Sequence, residues 1–213
     1  MTDDAHRHGD DDELARRRIA YALELFGRAW HVHGTTAGAF YLAMRGLSLP
    51  RELDGPVVRF HPRCPRGPER APALVVLFRD LIDDVPRAIQ RIYIGRDYRK
   101  DGKPMMLGPV GGCAMKLGPR GPKLCVCEGF ETGLALIMLG YGPVWALGSA
   151  GALARLPVLD GVEELVVAYD NDLAGKMAAS VVLETWRARA TPITVDREGC
   201  DFADVCAERM GTL

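Results

Sequence analysis

The second half of the chain alternates short apolar runs with helical patterns, and that alternation limits the possible folds more than any other feature. Residues 124–127, 143–147 and 165–169 are almost uninterrupted apolar runs. Residues 131–139, 150–156 and 175–190 instead space their apolar positions at helical intervals, and a last short strand at 193–195 precedes a helix from about Phe202. Runs this short and without polar alternation predict strands buried on both faces. Parallel neighbours need a crossover connection, which the intervening helices supply. The expectation is an α/β fold, a compact parallel sheet with flanking helices, preceded by a smaller α+β segment.

Acidic residues stand where two of these strands end. Glu128 follows 124–127, and Asp170 and Asp172 follow 165–169. In open α/β sheets the carboxyl edge of the strands is where ligands bind. Three carboxylates gathered there would suit a hard divalent cation, Mg²⁺ or Mn²⁺, which keeps positions for water and substrate phosphate. A Glu-Gly pair alone is an ordinary turn, and an isolated Asp-x-Asp is an ordinary Asx-turn. Their joint occurrence, in order, at the ends of two hydrophobic strands is what points to metal-dependent phosphoryl or nucleotidyl chemistry.

The same residues carry a resemblance. Glu128-Gly129 after one strand, then Asp170-Asn171-Asp172-Leu173-Ala174-Gly175 after a later one, resembles the Toprim domain of bacterial primases, topoisomerases and some nucleases. The small-residue turn Ala146-Leu147-Gly148-Ser149-Ala150-Gly151 fits between those motifs. Cys200-Asp201-Phe202-Ala203-Asp204 resembles the late acidic segment of plasmid and phage primase-like members. Upstream, Tyr41-Leu42-Ala43-Met44-Arg45-Gly46-Leu47, Arg59-Phe60-His61-Pro62 and Lys103-Pro104-Met105-Met106-Leu107-Gly108-Pro109 resemble the segment preceding Toprim in the same proteins. Ala174 stands where topoisomerase-type members often carry a third acidic residue, which is closer to the primases. Thr132 stands where primases often have an Asp, with Glu131 one position earlier, on a helix face expected to meet solvent.

The resemblance implies Glu128, Asp170 and Asp172 as catalytic and metal-binding residues, with Asp201 and Asp204 added to the metal site. It implies Arg91, Arg96, Lys103 and Lys116 as contacts to nucleic acid or nucleotide. The activity implied is primase-like nucleotidyl transfer on single-stranded DNA or RNA in plasmid- or phage-type replication, with a helicase or a zinc-bearing protein as partner. Two other readings use the same residues: a Toprim nuclease, in which the carboxylates activate water, and a DNA-binding accessory protein without turnover.

The first half reads differently. Residues 1–13 are acidic, with Asp3, Asp4, Asp10, Asp11, Asp12 and Glu13, and lack apolar periodicity, so a flexible tail is expected. Residues 13–30 form an amphipathic helix, and Thr35 or Thr36 caps a second that ends at Gly46. Strands are expected at 57–60, 73–78, 88–94 and 113–117, with an exposed loop at 62–72 and a linker at 118–123. The division is therefore 1–13 tail, 14–117 α+β segment and 118–213 catalytic domain. A net charge of -1 offers no global attraction to nucleic acid, but residues 59–103 are rich in arginine. Among the cysteines, Cys125 and Cys127 share one strand face and are expected in the core. His61 and Cys64 have no matching second pair for zinc. With neither a signal peptide nor a membrane-spanning run, a reducing cytoplasm is the expected setting.

Overall fold

The structure is a computed structural model that describes residues 3–196 and 201–209; Cys200 of the late acidic segment lies outside them. Helix α1 (Asp3–Arg28) runs through the stretch expected to be a tail. Arg17 pairs with Glu13 and Arg28 with Glu24, each one turn apart. Acidic residues early in a helix also suit its dipole. Helix α2 (Ala37–Met44) starts at Thr36, whose hydroxyl accepts from the Ala39 N–H, and the chain leaves it at Gly46 in the left-handed region.

Strands β1 (Val58–Arg66), β2 (Glu69–Asp80), β3 (Pro86–Tyr93), β4 (Met105–Leu107) and β5 (Cys113–Leu117) come next. The loop expected at 62–72 is instead a hairpin of β1 and β2, turning at Gly67. Its prolines are accommodated because β1 is bonded to β2 alone among the described strands, and because its register slips between His61 and Cys64. Strand β4 is too short to show a period in the sequence. Cys64 packs beside Ala73 and Tyr93.

The second half contains β6 (Lys123–Cys127), α3 (Phe130–Met138), β7 (Val144–Ala146), α4 (Ala150–Leu153), β8 (Glu164–Ala168), α5 (Leu173–Trp186), β9 (Ala190–Ile193) and α6 (Phe202–Arg209). Strands β7, β6, β8 and β9 pair in parallel in that order. Strand β9 begins earlier than expected. Residues 194 and 195 serve the neighbouring loop instead: the Thr194 hydroxyl donates to the Tyr169 carbonyl, and the Val195 carbonyl accepts from the Asn171 amide.

Strand β5 runs antiparallel to β7 on one side and pairs with Arg79 and Asp80 at the end of β2 on the other. One nine-stranded sheet, counted over the described residues, therefore continues from the antiparallel first half into the parallel second. One face of its parallel part carries Cys125, Cys127 and Ala146 under α3 and α6, so both cysteines are core residues as expected. The opposite face carries Leu124, Val126, Trp145 and Val167 under α4 and α5. Helix α1 covers Val75, Leu77 and Ile89 of the antiparallel part through Ala22, Leu25 and Phe26. No described helix is long and apolar enough to cross a membrane.

Candidate active site

Strands β6 and β8 are parallel neighbours, so the chain leaves both at one edge of the sheet. Glu128 follows β6 directly and Asp170 follows β8 after Tyr169. The two carboxylates line one cavity of about 230 Å³, together with Lys100, Glu131, Gly148 and Asp201. The loops that hold them are tightly tied. The Gly148 N–H donates to the Glu128 carbonyl at 2.7 Å, and Ser149 caps α4 by accepting from the Ala152 N–H. On the other side the Asp172 N–H reaches the Asp170 carbonyl at 2.7 Å, and the Asp172 carboxylate accepts from the Gly175 N–H at 2.7 Å.

Burial first, then the negative charges of Asp170 and Asp172, push the Glu128 carboxyl up to about 7, opposed by a hydrogen bond from the Ala150 N–H. Asp170 is raised for the same reasons: burial, then Asp172 and Asp201. Glu128 Oε1 is closed off from solvent and has no hydrogen-bond partner. A buried oxygen without a partner, beside a second carboxylate, is costly unless a proton or a cation joins it. These residues therefore fit a divalent ion held by one or two carboxylates that takes the rest of its shell from water and phosphate. Among the described residues no three His, Cys, Asp or Glu side chains form a ready cage.

The expected site residues thus separate. Glu128 and Asp170 share the cavity. Asp172 is near enough to raise both, yet one of its oxygens caps α5. Asp201 reaches the cavity but also caps α6 reciprocally with Asp204: each carboxylate accepts the other's backbone N–H at 2.9 Å. Arg45 lies 3.1 Å from Asp201 and 3.9 Å from Asp204. Asp204 therefore serves the helix start and the arginine.

Two of the four expected nucleic-acid contacts point inward. Arg91 is only 8% exposed and donates to the Pro65 and Met106 carbonyls, stitching β1 and β4 to β3. Lys116 lies 4.2 Å from the centre of the Trp145 ring and pairs with Asp84 at 2.8 Å, in a different cavity on the sheet. Sequence spacing cannot show that β3 and β5 are interior strands, which is why both were expected outside. Arg96 and Lys103 are exposed.

Four residues went unassigned in the sequence. Glu131, expected to face solvent, is 9% exposed. It accepts a short hydrogen bond from the Tyr41 hydroxyl, pairs with Lys100 at 2.5 Å and lies 3.8 Å from Arg45. It joins the first half of the chain to the second. Tyr41 and Arg45 lie in the Tyr41–Leu47 motif, so the signal was present without a role. Lys100, which reaches the carboxylate cavity, carried no sequence signal beyond its place in an arginine-rich stretch.

Comparison with known proteins adds to this geometry. Residues 123–210 match the model described as Toprim domain, and residues 16–117 match a domain of unknown function, DUF7146. No curated protein sequence matches. The chain is similar in structure to a DnaG primase catalytic domain bound to single-stranded DNA, at TM-score 0.61 and 17% identity, covering 93% of this chain and 77% of that one. It is similar to a DNA primase domain from Pseudomonas aeruginosa at 0.58 and 15%, covering 90% and 74%. It is also similar to the primase fragment of the bacteriophage T7 primase-helicase at 0.57 and 16%, covering 87% and 73%.

Proposed function

On the premise that the chain is a Toprim-domain protein with the fold of a primase catalytic core, we propose that it is a primase-like nucleotidyltransferase acting on single-stranded nucleic acid in plasmid- or phage-type replication. The observation that best supports this reading is Glu128 Oε1, buried and unpartnered beside Asp170 in a cavity that Lys100 also lines. Glu128 and Asp170 would hold Mg²⁺ or Mn²⁺, with Asp172 and Asp201 adding negative potential. Such a cation, when bound, neutralises charge on the transferring phosphate and orients the attacking and leaving oxygens.

The protein's own groups do the rest. With its carboxyl raised to about 7, Glu128 is divided between its two protonation states near neutrality, so where it is not holding the cation its deprotonated form suits it to take a proton from an attacking hydroxyl at working pH. Lys100 supplies positive charge at the cavity for substrate phosphates, and the exposed Arg96 and Lys103 extend it along the strand's path. Asp172 positions Asp170 by fixing the start of α5. The two-part division at residue 118, a cytoplasmic setting, and a helicase or zinc-bearing partner that engages template belong to the same proposal.

The test supplies single-stranded template, nucleotides and Mg²⁺ or Mn²⁺ to the full chain, with and without a helicase and a zinc-bearing primase module. Short labelled products that vanish on chelation and in Asp170→Ala are the expected result. Metal-dependent shortening of the template without incorporation would move the assignment to nuclease. Binding of template with neither outcome, partners present, would leave an accessory role.

A further inference from the structure

Beside the carboxylate cavity lies a larger one of about 510 Å³, lined by Tyr41, Met44, Arg45, Tyr98, Arg99, Lys100 and Asp201. Lys100 and Asp201 line both, so the two adjoin. Tyr98 forms its wall in an unusual way. Its φ is 58°, in the left-handed region, which bulky side chains rarely occupy and which costs an L-residue roughly 1–2 kcal/mol. A tight turn imposes this: the Tyr98 N–H donates to the Gly95 carbonyl at 3.1 Å, and the Gly95 N–H to the Arg99 carbonyl at 2.8 Å.

Glycine or asparagine would close that turn at less cost. Core packing does not explain the tyrosine either, because its side chain is 41% exposed. Its ring leans on Phe40, itself 45% exposed, with centroids 5.1 Å apart and planes tilted by 39°. The two rings are too close for a third to enter between them. They make a single, partly exposed aromatic surface. Arg99 adjoins this surface, and neither it nor Arg96 forms an ion pair among the described residues.

Strained backbone that holds an exposed aromatic beside uncommitted arginines is the arrangement that stacks a nucleobase and neutralises its phosphate. We propose that Tyr98 and Phe40 form a base-stacking shelf, with Arg99 and Lys100 on the attached phosphate, next to the Glu128–Asp170 carboxylates. This deepens the proposed function and rests on it. The ligand is a nucleobase bearing phosphate, from either a single strand or a free nucleotide.

The experiment measures fluorescence anisotropy of the full chain with an oligothymidylate and with an abasic oligomer of equal length and charge. Wild type is expected to prefer the base-bearing oligomer. Tyr98→Gly should bind it about 5- to 150-fold more weakly, the range for losing one stacked base, and should no longer distinguish the two oligomers. Its melting temperature should hold or rise, since glycine relieves the left-handed backbone, and its salt slope should match wild type because phosphate contacts remain. Tyr98→Trp should retain affinity. Displacement of the oligomer by ATP from wild type, lost in Tyr98→Gly, assigns the shelf to a free nucleotide; no displacement assigns it to the strand. Equal affinity of Tyr98→Gly and wild type, or no preference of wild type for bases over abasic sites, overturns the shelf while leaving the proposed function intact. Failure of wild type to bind either oligomer or nucleotide, with a zinc-bearing primase module and a helicase present, overturns both.

Discussion

The α-carbon of Gly175 faces the Asp170 carbonyl so closely that a β-carbon built there would lie 2.2 Å from that oxygen. The first turn of α5 therefore presses on the loop that carries one of the two cavity carboxylates. The contact explains why the motif runs Asp170-Asn171-Asp172 and then reaches glycine at 175. Asp172 accepts from the Gly175 N–H, Asn171 ties the loop to the segment that follows β9, and the missing side chain at 175 lets the loop close.

Gly175→Ala should shift that backbone, because the contacting atom is main chain and cannot rotate away. Overpacking of this kind costs about 1–3 kcal/mol, and each kcal/mol lowers the melting temperature by about 2–4 °C in a chain of this size. Loss of metal-dependent activity larger than the stability loss explains is the expected outcome. A variant with wild-type melting and activity would show that the contact does not position Asp170.

The acidic edge was legible because a strand end is marked twice in sequence, by the end of an apolar run and by the turn residue after it. Parallel pairing of β6 and β8 followed from the helices between them. What was not legible depends on contacts between halves of the chain. Glu131 was expected outward because helical spacing gives a face but not what covers it, and α2 with Lys100 supplies the cover. Arg91 and Lys116 were expected outward because a charge on a strand reads as solvated unless the partner carbonyls or the Trp145 ring are known. The hairpin through Pro62 and Pro65 escaped notice because proline argues against a strand, and only the pairing shows that β1 is an edge.

Stability should depend on pH through Glu128. Its carboxyl ordinarily titrates at 4.5 and is raised to about 7 in the folded protein. Between those values folding takes up a proton, so stability falls as pH rises across the window and levels off above it. Asp170, also raised, adds in the same direction. Glu128→Gln should match wild type near pH 4, be the more stable at pH 8, and show a flatter profile between. Parallel thermal-denaturation profiles for the two proteins would contradict the buried-carboxylate account.

Glu131→Ala leaves the Tyr41 hydroxyl without its acceptor and Lys100 without its partner. Burial, then Glu131, raises Tyr41 far above the usual tyrosine range, so the hydroxyl remains a donor and needs an acceptor. The loss should cost about 1.5–3 kcal/mol, the range for a hydrogen bond to a charged group. Glu131→Gln keeps an oxygen for Tyr41 and should cost less. Urea denaturation of both variants checks the order; equal stabilities would mean that the Tyr41 bond contributes little.

Divalent cations should stabilise the folded chain in a way that depends on Glu128 and Asp170 together. An ion that binds only the folded state raises stability by RT ln(1 + [L]/Kd), about 2.7 kcal/mol at a hundredfold excess over Kd. Mg²⁺ or Mn²⁺ should therefore raise the melting temperature of wild type at pH 8, where both carboxylates are ionised and repel each other. At pH 5 the rise should shrink, because protons already relieve that repulsion and compete for the same oxygens. In Asp170→Asn, one charge is removed and one ligand weakened, so the apo protein should start more stable and gain less from the ion. Glu128→Gln combined with Asp170→Asn should show neither the pH dependence nor the cation effect. Ca²⁺ separates a general charge effect from a site: screening alone would raise wild type and double variant equally with any divalent ion, whereas a site at the sheet edge raises wild type only. A cation effect that survives in the double variant would place the ion elsewhere and remove the main support for a metal-dependent reaction at these carboxylates.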